Sequence, residues 1–226
     1  MNMIQKIDLQ KISILKENQV YRIADLFAGI GIRFQRDRNS ILTDPQYKNT
    51  ILFDHLQSKQ KNRDILTMQK TIDRHIALHN YPTPEENELV MHLRLGDALD
   101  EKKHLDNYYK TYKYLKKKID FKKFSKVSIV TALHFGHFDD HPEGPLYIFS
   151  KKAKENSFTF FRYVESQINE SGHSVNLISS DNIDQDFCYM AKSQWFVQSK
   201  RGFSHLICKL LPNSAKFFCL SEQRWI

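Results

Sequence analysis

The chain has 226 residues, 41% of them hydrophobic and 12% aromatic, enough to bury a core and unlike a disordered polypeptide. Its 34 basic and 26 acidic side chains leave a formal net charge of +8, which favours polyanionic partners such as nucleic acid, acidic lipid or phosphorylated ligands. No apolar run approaches the roughly 18 residues of a membrane span.

In chain order, MNMIQKIDLQKISILKEN scatters charges through its apolar positions and lacks the continuous apolar stretch of a signal peptide. Residues 49–80 carry apolar side chains at helical spacing and end at Asn80, ahead of the breakers Pro82 and Pro84. The organisation divides near residue 85: residues 1–84 read as a reduced, mainly helical N-terminal lobe, and residues 85–226 as alternating strands and helices. LVMHLRL (89–95) is a strand, with Leu89, Met91, Leu93 and Leu95 as its packing side chains. Residues 104–118 follow as a helix, KVSIVTAL (126–133) as a strand, 134–150 as a polar loop and 151–170 as a helix. SVNLIS (174–179), QWFVQS (194–199) and AKFFCL (215–220) are further strands, separated by helices over 184–192 and 203–211. Strands joined by helices of this length predict an α/β, Rossmann-like, doubly wound parallel sheet.

Ten lysines fall within residues 102–126, where Leu105, Tyr108, Tyr112, Leu115 and Ile119 recur at three- and four-residue steps. The lysines therefore coat the outside of an amphipathic helix, either as a solvated face or as a surface that attracts anions. Lysine rather than arginine weakens direct readout of nucleic acid, so no nucleic-acid partner is expected. Cys188, Cys208 and Cys219 show no CxxC spacing and suit free core thiols in a reducing compartment, which makes the cytoplasm the default location.

In doubly wound sheets the ligand sits outside the carboxyl ends of the strands. The first strand ends at His92, Arg94, Gly96 and Asp97, the second in TALHFGHFDDHPEG, the third in SSDNIDQD and the fourth in QSKRGFSH. In the fourth turn Gly202 lets the backbone approach a ligand, Ser204 offers a hydroxyl, and the amides opening the next helix attract phosphate. Arg94 on the neighbouring turn brings a bidentate guanidinium to the same anion.

HLRLGD (92–97) resembles the His-x-Arg-x-Gly-Asp motif of the fucosyltransferase superfamily, GT-B glycosyltransferases that use GDP-fucose. DQDFCYMAKSQWFVQSKRGFSHLI resembles that superfamily's second signature, and the two lie in order about 90 residues apart. The resemblance covers roughly residues 85–220. It implies a GT-B-like protein transferring a sugar, first of all fucose from GDP-fucose, to a glycan, glycolipid or glycoprotein hydroxyl, with inversion and without a metal. The nucleotide-sugar donor is then a substrate, and no cofactor is implied. Arg94 would bind the donor diphosphate, with His92 and Asp97 shaping that site. Asp186 would meet the nucleoside, and Ser199, Phe203 and Ser204 would cradle phosphate beside Gly96, Arg201 and Gly202. Lys200 and Arg201 stand where the superfamily often has Ser or Gly. The catalytic base is open between Asp97 and the acids Asp25 and Asp37, which flank the loose Gly-rich candidate AGIGIRFQ (28–35).

DLFAGIG (25–31) also resembles the first motif of S-adenosylmethionine-dependent nucleic-acid methyltransferases, but no Pro-Cys or Asn-Pro-Pro-Tyr-like motif follows it. A third reading is a nucleotide- or glycan-binding protein without catalysis. His134, His137 and His141, with Asp139, Asp140 and Glu143, have spacing that could suit zinc, but a polar loop covering the nucleotide pocket is the favoured reading, and no metal is expected.

Overall fold

The computed structural model describes residues 65–100, 102–131, 135–139, 146–179, 183–199 and 202–226. Among the described residues, eight strands run in chain order: β1 (Glu88–His92), β2 (Lys126–Val130), β3 (Gly136–Asp139), β4 (Leu146–Phe149), β5 (Val175–Ile178), β6 (Trp195–Gln198), β7 (Lys216–Cys219) and β8 (Arg224–Trp225). The helices are α1 (Ile65–His79), α2 (Lys102–Tyr112), α3 (Leu115–Lys118), α4 (Lys151–Asn169), α5 (Ile183–Ala191) and α6 (Gly202–Leu210). Short 3-10 turns cover Gly96–Leu99 and Phe121–Lys123.

Six strands form one sheet in the order β5-β2-β1-β6-β7-β8. All neighbours are parallel except β7 and β8. Counting only these strands, the order is 3-2-1-4-5-6, the Rossmann-like arrangement whose direction of winding reverses between the first and fourth strands. Here that reversal lies between β1 and β6.

The strands alternate their side chains between two helical layers, as a period of two requires. Leu89, Met91, Val127, Ile129 and Val197 join a buried cluster with Tyr108, Tyr112, Leu115, Phe160, Val164 and Ile168 of α2, α3 and α4. Val90, Val130 and Phe196 face the other way, onto Ile72, Phe187, Met190, Ile207 and Leu210 of α1, α5 and α6. Helices thus cover both faces, which is why the central strands read as continuous apolar runs. The packing leucines of β1 and its extension behave as expected: Leu89, Met91, Leu93 and Leu95 are all buried in the first cluster. Of the N-terminal part, α1 lies against the sheet, and residues 1–64 fall outside the described residues.

Three expectations need correction. The stretch 134–150 is not wholly loop: β3 and β4 pair antiparallel, with Gly136 opposite Phe149 and Asp139 opposite Leu146. The run Leu-Tyr-Ile-Phe has the aromatic and β-branched composition that favours a strand once a partner is at hand. The helix expected over 104–118 divides at Lys113 and Tyr114 into α2 and α3, while its apolar stripe stays buried across the break. The sheet also carries an antiparallel edge, because Gln223 takes a left-handed φ of 52° and turns the chain back as β8. Cys188 and Cys219 are buried free thiols, and Cys208 is a half-buried one. Among the described residues no helix is long and apolar enough to cross a membrane.

Candidate functional site at the carboxyl edge of the sheet

β1 ends at His92, and the next residue still donates its amide to the sheet, from Leu93 N to Val130 O at 3.0 Å. Leu93, Arg94 and Leu95 carry the chain out to Gly96, whose φ of 75° lies in the left-handed region where a side chain is strained. That turn opens the 3-10 segment Gly96–Leu99, and α4 with its N-cap Ser150 holds the stretch from Gly96 to Asp100 at three points. The Gly96 amide donates to Ser157 Oγ at 2.9 Å, Asn156 Nδ2 donates to the Leu99 carbonyl at 2.7 Å, and Ser150 Oγ donates to Asp100 Oδ1 at 2.7 Å. The stretch GDALD is therefore fixed from below by the first turns of a long helix.

Across the reversal point, β6 ends at Gln198 and passes to Ser199, which is buried. The Ser199 amide donates to Ser204 Oγ at 2.9 Å, closing the connection into α6. His92 Nδ1 and Ser199 Oγ lie 3.1 Å apart, a hydrogen bond that ties the carboxyl end of β1 to that of β6. The Phe203 ring meets the His92 ring edge-on with centroids 5.4 Å apart, and Phe187 packs behind Phe203 at 5.6 Å. One turn further, Gln198 Nε2 and His205 Nδ1 are 2.7 Å apart.

These surroundings fix the charge state of His92. Burial, and then the positive charge of Arg94, push its pKa down to about 3, so the imidazole is neutral at physiological pH. The local positive charge comes from Arg94 and from the amides that open α6. Chemically, the pair of turns offers a guanidinium, a neutral imidazole and backbone donors at the place where Rossmann-like sheets receive phosphate-bearing ligands.

The expected residues divide as follows. His92 ends β1; Arg94, Gly96 and Ser199 lie on the two connections that flank the reversal point, and Gly202, Phe203 and Ser204 open α6 there. Ser204 is fully buried and spends its oxygen on the Ser199 amide, so it shapes the turn from inside. Asp97 follows Gly96 in the same 3-10 segment. Asp186 is buried within α5, one residue before the Phe187 that backs Phe203. Arg201, Lys200, Asp25, Asp37 and the glycines of 28–35 lie outside the described residues, as do His134, Asp140, His141 and Glu143. His137 and Asp139 belong to β3. Among the described residues there is no group of three His, Cys, Asp or Glu side chains that could hold a metal ion.

Ser157 and Phe187 complete the site's support and were not singled out from sequence. Ser157 had a legible signal, a small polar residue on the apolar stripe of Ala153, Phe160, Phe161 and Val164. Phe187 reads as plain core until its contact with Phe203 is seen.

Comparison with known proteins finds no matching family model, no matching curated protein and no matching solved structure.

Proposed function

We propose that this chain is a GT-B-like glycosyltransferase that transfers a sugar, fucose from GDP-fucose first among the candidates, to a hydroxyl of a glycan or glycoconjugate. The observation that carries this reading is the joining of His92 to Ser199 across the reversal point of a 3-2-1-4-5-6 sheet, with Arg94 on the same turn as His92. A nucleoside diphosphate in that crevice would set its phosphates against the Arg94 guanidinium and the amides opening α6. The departing diphosphate gains negative charge as the sugar bond breaks, and donors fixed beforehand by a folded turn stabilise that charge without reorganising. Arg94 supplies the compensating positive charge in a mechanism that proceeds without a metal. Asp97 is the candidate for taking the acceptor's proton, with Asp25 and Asp37 as the other acids in play. The N-terminal 84 residues serve the acceptor side.

The methyltransferase reading needs its Gly-rich turn directly after the central strand. The stretch that would supply it, DLFAGIG (25–31), lies outside the described residues.

Incubation with GDP-fucose in the presence of a chelator, with released GDP and fucose measured by chromatography, tests the proposal. Donor turnover that falls to background in Arg94→Ala supports a transferase. GDP binding with no turnover on any donor or acceptor would replace it with the non-catalytic nucleotide-binding reading.

A further inference from the structure

Outside residues 102–126 the chain carries as many acidic as basic side chains, 24 of each, so its whole formal excess of +8 resides in this one segment of ten lysines and two aspartates. The segment contains no arginine. Folding sorts its residues sharply. Tyr108, Tyr112, Leu115, Ile119, Phe121 and Phe124 enter the core, and this anchors α2, α3 and the Phe121–Lys123 turn against the sheet. Lys102, Lys110, Lys113, Lys116, Lys117, Lys118, Lys122 and Lys123 are left exposed.

Some of the segment's lysines have local partners: Lys116 pairs with Glu170, Lys126 with Glu88 at 3.3 Å, and Lys113 lies over the Tyr114 ring at 4.6 Å. Lys110, Lys117, Lys118, Lys122 and Lys123 are exposed, and no ion pair to another described residue engages them. Their ammonium groups repel one another, a cost that an external polyanion would offset.

The position of the cluster narrows the partner. Asn87 Nδ2 donates to the Lys123 carbonyl at 2.9 Å, which places the Phe121–Lys123 turn beside the amino end of β1. The His92–Ser199 site stands at the carboxyl end, four residues and about 13 Å along the strand. Among the described residues the large exposed apolar side chains are Leu78, Phe149 and Ile226, none within this segment. A surface of flexible point charges, with no arginine fork for phosphate or base edges and no exposed apolar wedge, suits a diffuse sheet of negative charge.

We propose that the lysines from Lys110 to Lys123, on the carboxyl end of α2, on α3 and on the Phe121–Lys123 turn, dock the protein on a bilayer containing acidic lipids, with the carboxyl-edge crevice opening away from the Phe121–Lys123 turn. Attachment is electrostatic, without insertion, and is independent of any ligand in the crevice.

Co-sedimentation of the full chain with vesicles of phosphatidylcholine alone, or of phosphatidylcholine with phosphatidylserine, tests this. Wild type pellets with the mixed vesicles only, and releases as salt shortens the screening length from about 10 Å at 0.1 M to about 3 Å at 1 M. Each lysine contributes about fivefold near an acidic surface, so the combined Lys117→Gln, Lys118→Gln, Lys122→Gln and Lys123→Gln variant loses about a hundredfold or more in partitioning. Its circular dichroism melt and its affinity for GDP match wild type. Three results would overturn the proposal: wild type that stays in the supernatant, a variant that pellets as well as wild type, or tighter binding to a DNA or RNA duplex than to the acidic vesicles.

Discussion

His92 Nδ1 stands 3.1 Å from Ser199 Oγ, and this one hydrogen bond bridges 107 residues of sequence to join the two strands between which the sheet reverses. It holds the imidazole against Phe203 and beside Arg94. The bond is the pivot of the candidate site, because each of its ends leads into a turn that offers donors to a ligand.

The neutrality of His92 has a measurable consequence. Its folded pKa, about 3, lies below the unfolded value near 6.5, so between these the unfolded chain binds a proton that the native state refuses. This group therefore lowers stability as the pH falls from about 6.5 toward 3. In proton–carbon NMR spectra the His92 ring signals stay unshifted from pH 7 to 5, and His92→Gln flattens that part of the stability–pH curve. A midpoint near 6.5 for His92 would contradict its burial beside Arg94.

Gly96 and Gly172 both hold positive φ, 75° and 90°. Alanine at either costs about 1–2 kcal/mol of stability, because a Cβ in the left-handed region meets the following carbonyl. A Cβ at Gly172 would meet open space, so strain is its whole effect. Gly96→Ala also displaces the turn that Ser157 holds, and so it weakens GDP binding where Gly172→Ala leaves it unchanged. Thermal melts and calorimetry on the two variants separate the effects.

At the opposite edge, Glu88 is fully buried at the start of β1. It accepts hydrogen bonds from Ser128 Oγ, from Tyr189 Oη at 2.6 Å and from the Glu85 amide at 3.1 Å, and Asn176 Nδ2 donates to Ser128 Oγ at 3.0 Å. Burial raises the pKa of Glu88, but these bonds and Lys126 outweigh it and hold the carboxyl below its ordinary value. The resulting stability is present above the unfolded carboxyl pKa near 4.5 and is lost as pH falls through the lower folded value. Glu88→Gln costs about 1–3 kcal/mol at neutral pH by urea denaturation. The gap from wild type narrows in acid.

Much of this architecture was legible from residue types alone. The apolar runs of β1, β2, β6 and β7, and the helices between them, follow from side chains that have to be covered on both faces of a parallel sheet. The turns bearing His92, Arg94, Gly96 and Ser199 were legible because polar residues and glycine gather where strands end. What escaped depends on distant pairing. β3 and β4 hide in HFGHFDDHPEGPLYIFS, where an antiparallel register is set by the partner strand and not by local period. Glu88 looks like the polar start of a strand until Tyr189, 101 residues on, closes over it. Ser204 reads as a ligand-facing hydroxyl, yet the fold turns it inward to the Ser199 amide.

Calorimetric titration of GDP into wild type and Arg94→Ala tests most directly whether the crevice between β1 and β6 is a nucleoside diphosphate site. Loss of a charge-assisted bond to phosphate, worth about 1.5–3 kcal/mol, should weaken binding roughly tenfold to a hundredfold in Arg94→Ala, with Arg94→Lys recovering only part of it. Absence of GDP binding to wild type, or equal affinity in Arg94→Ala, would contradict the assignment.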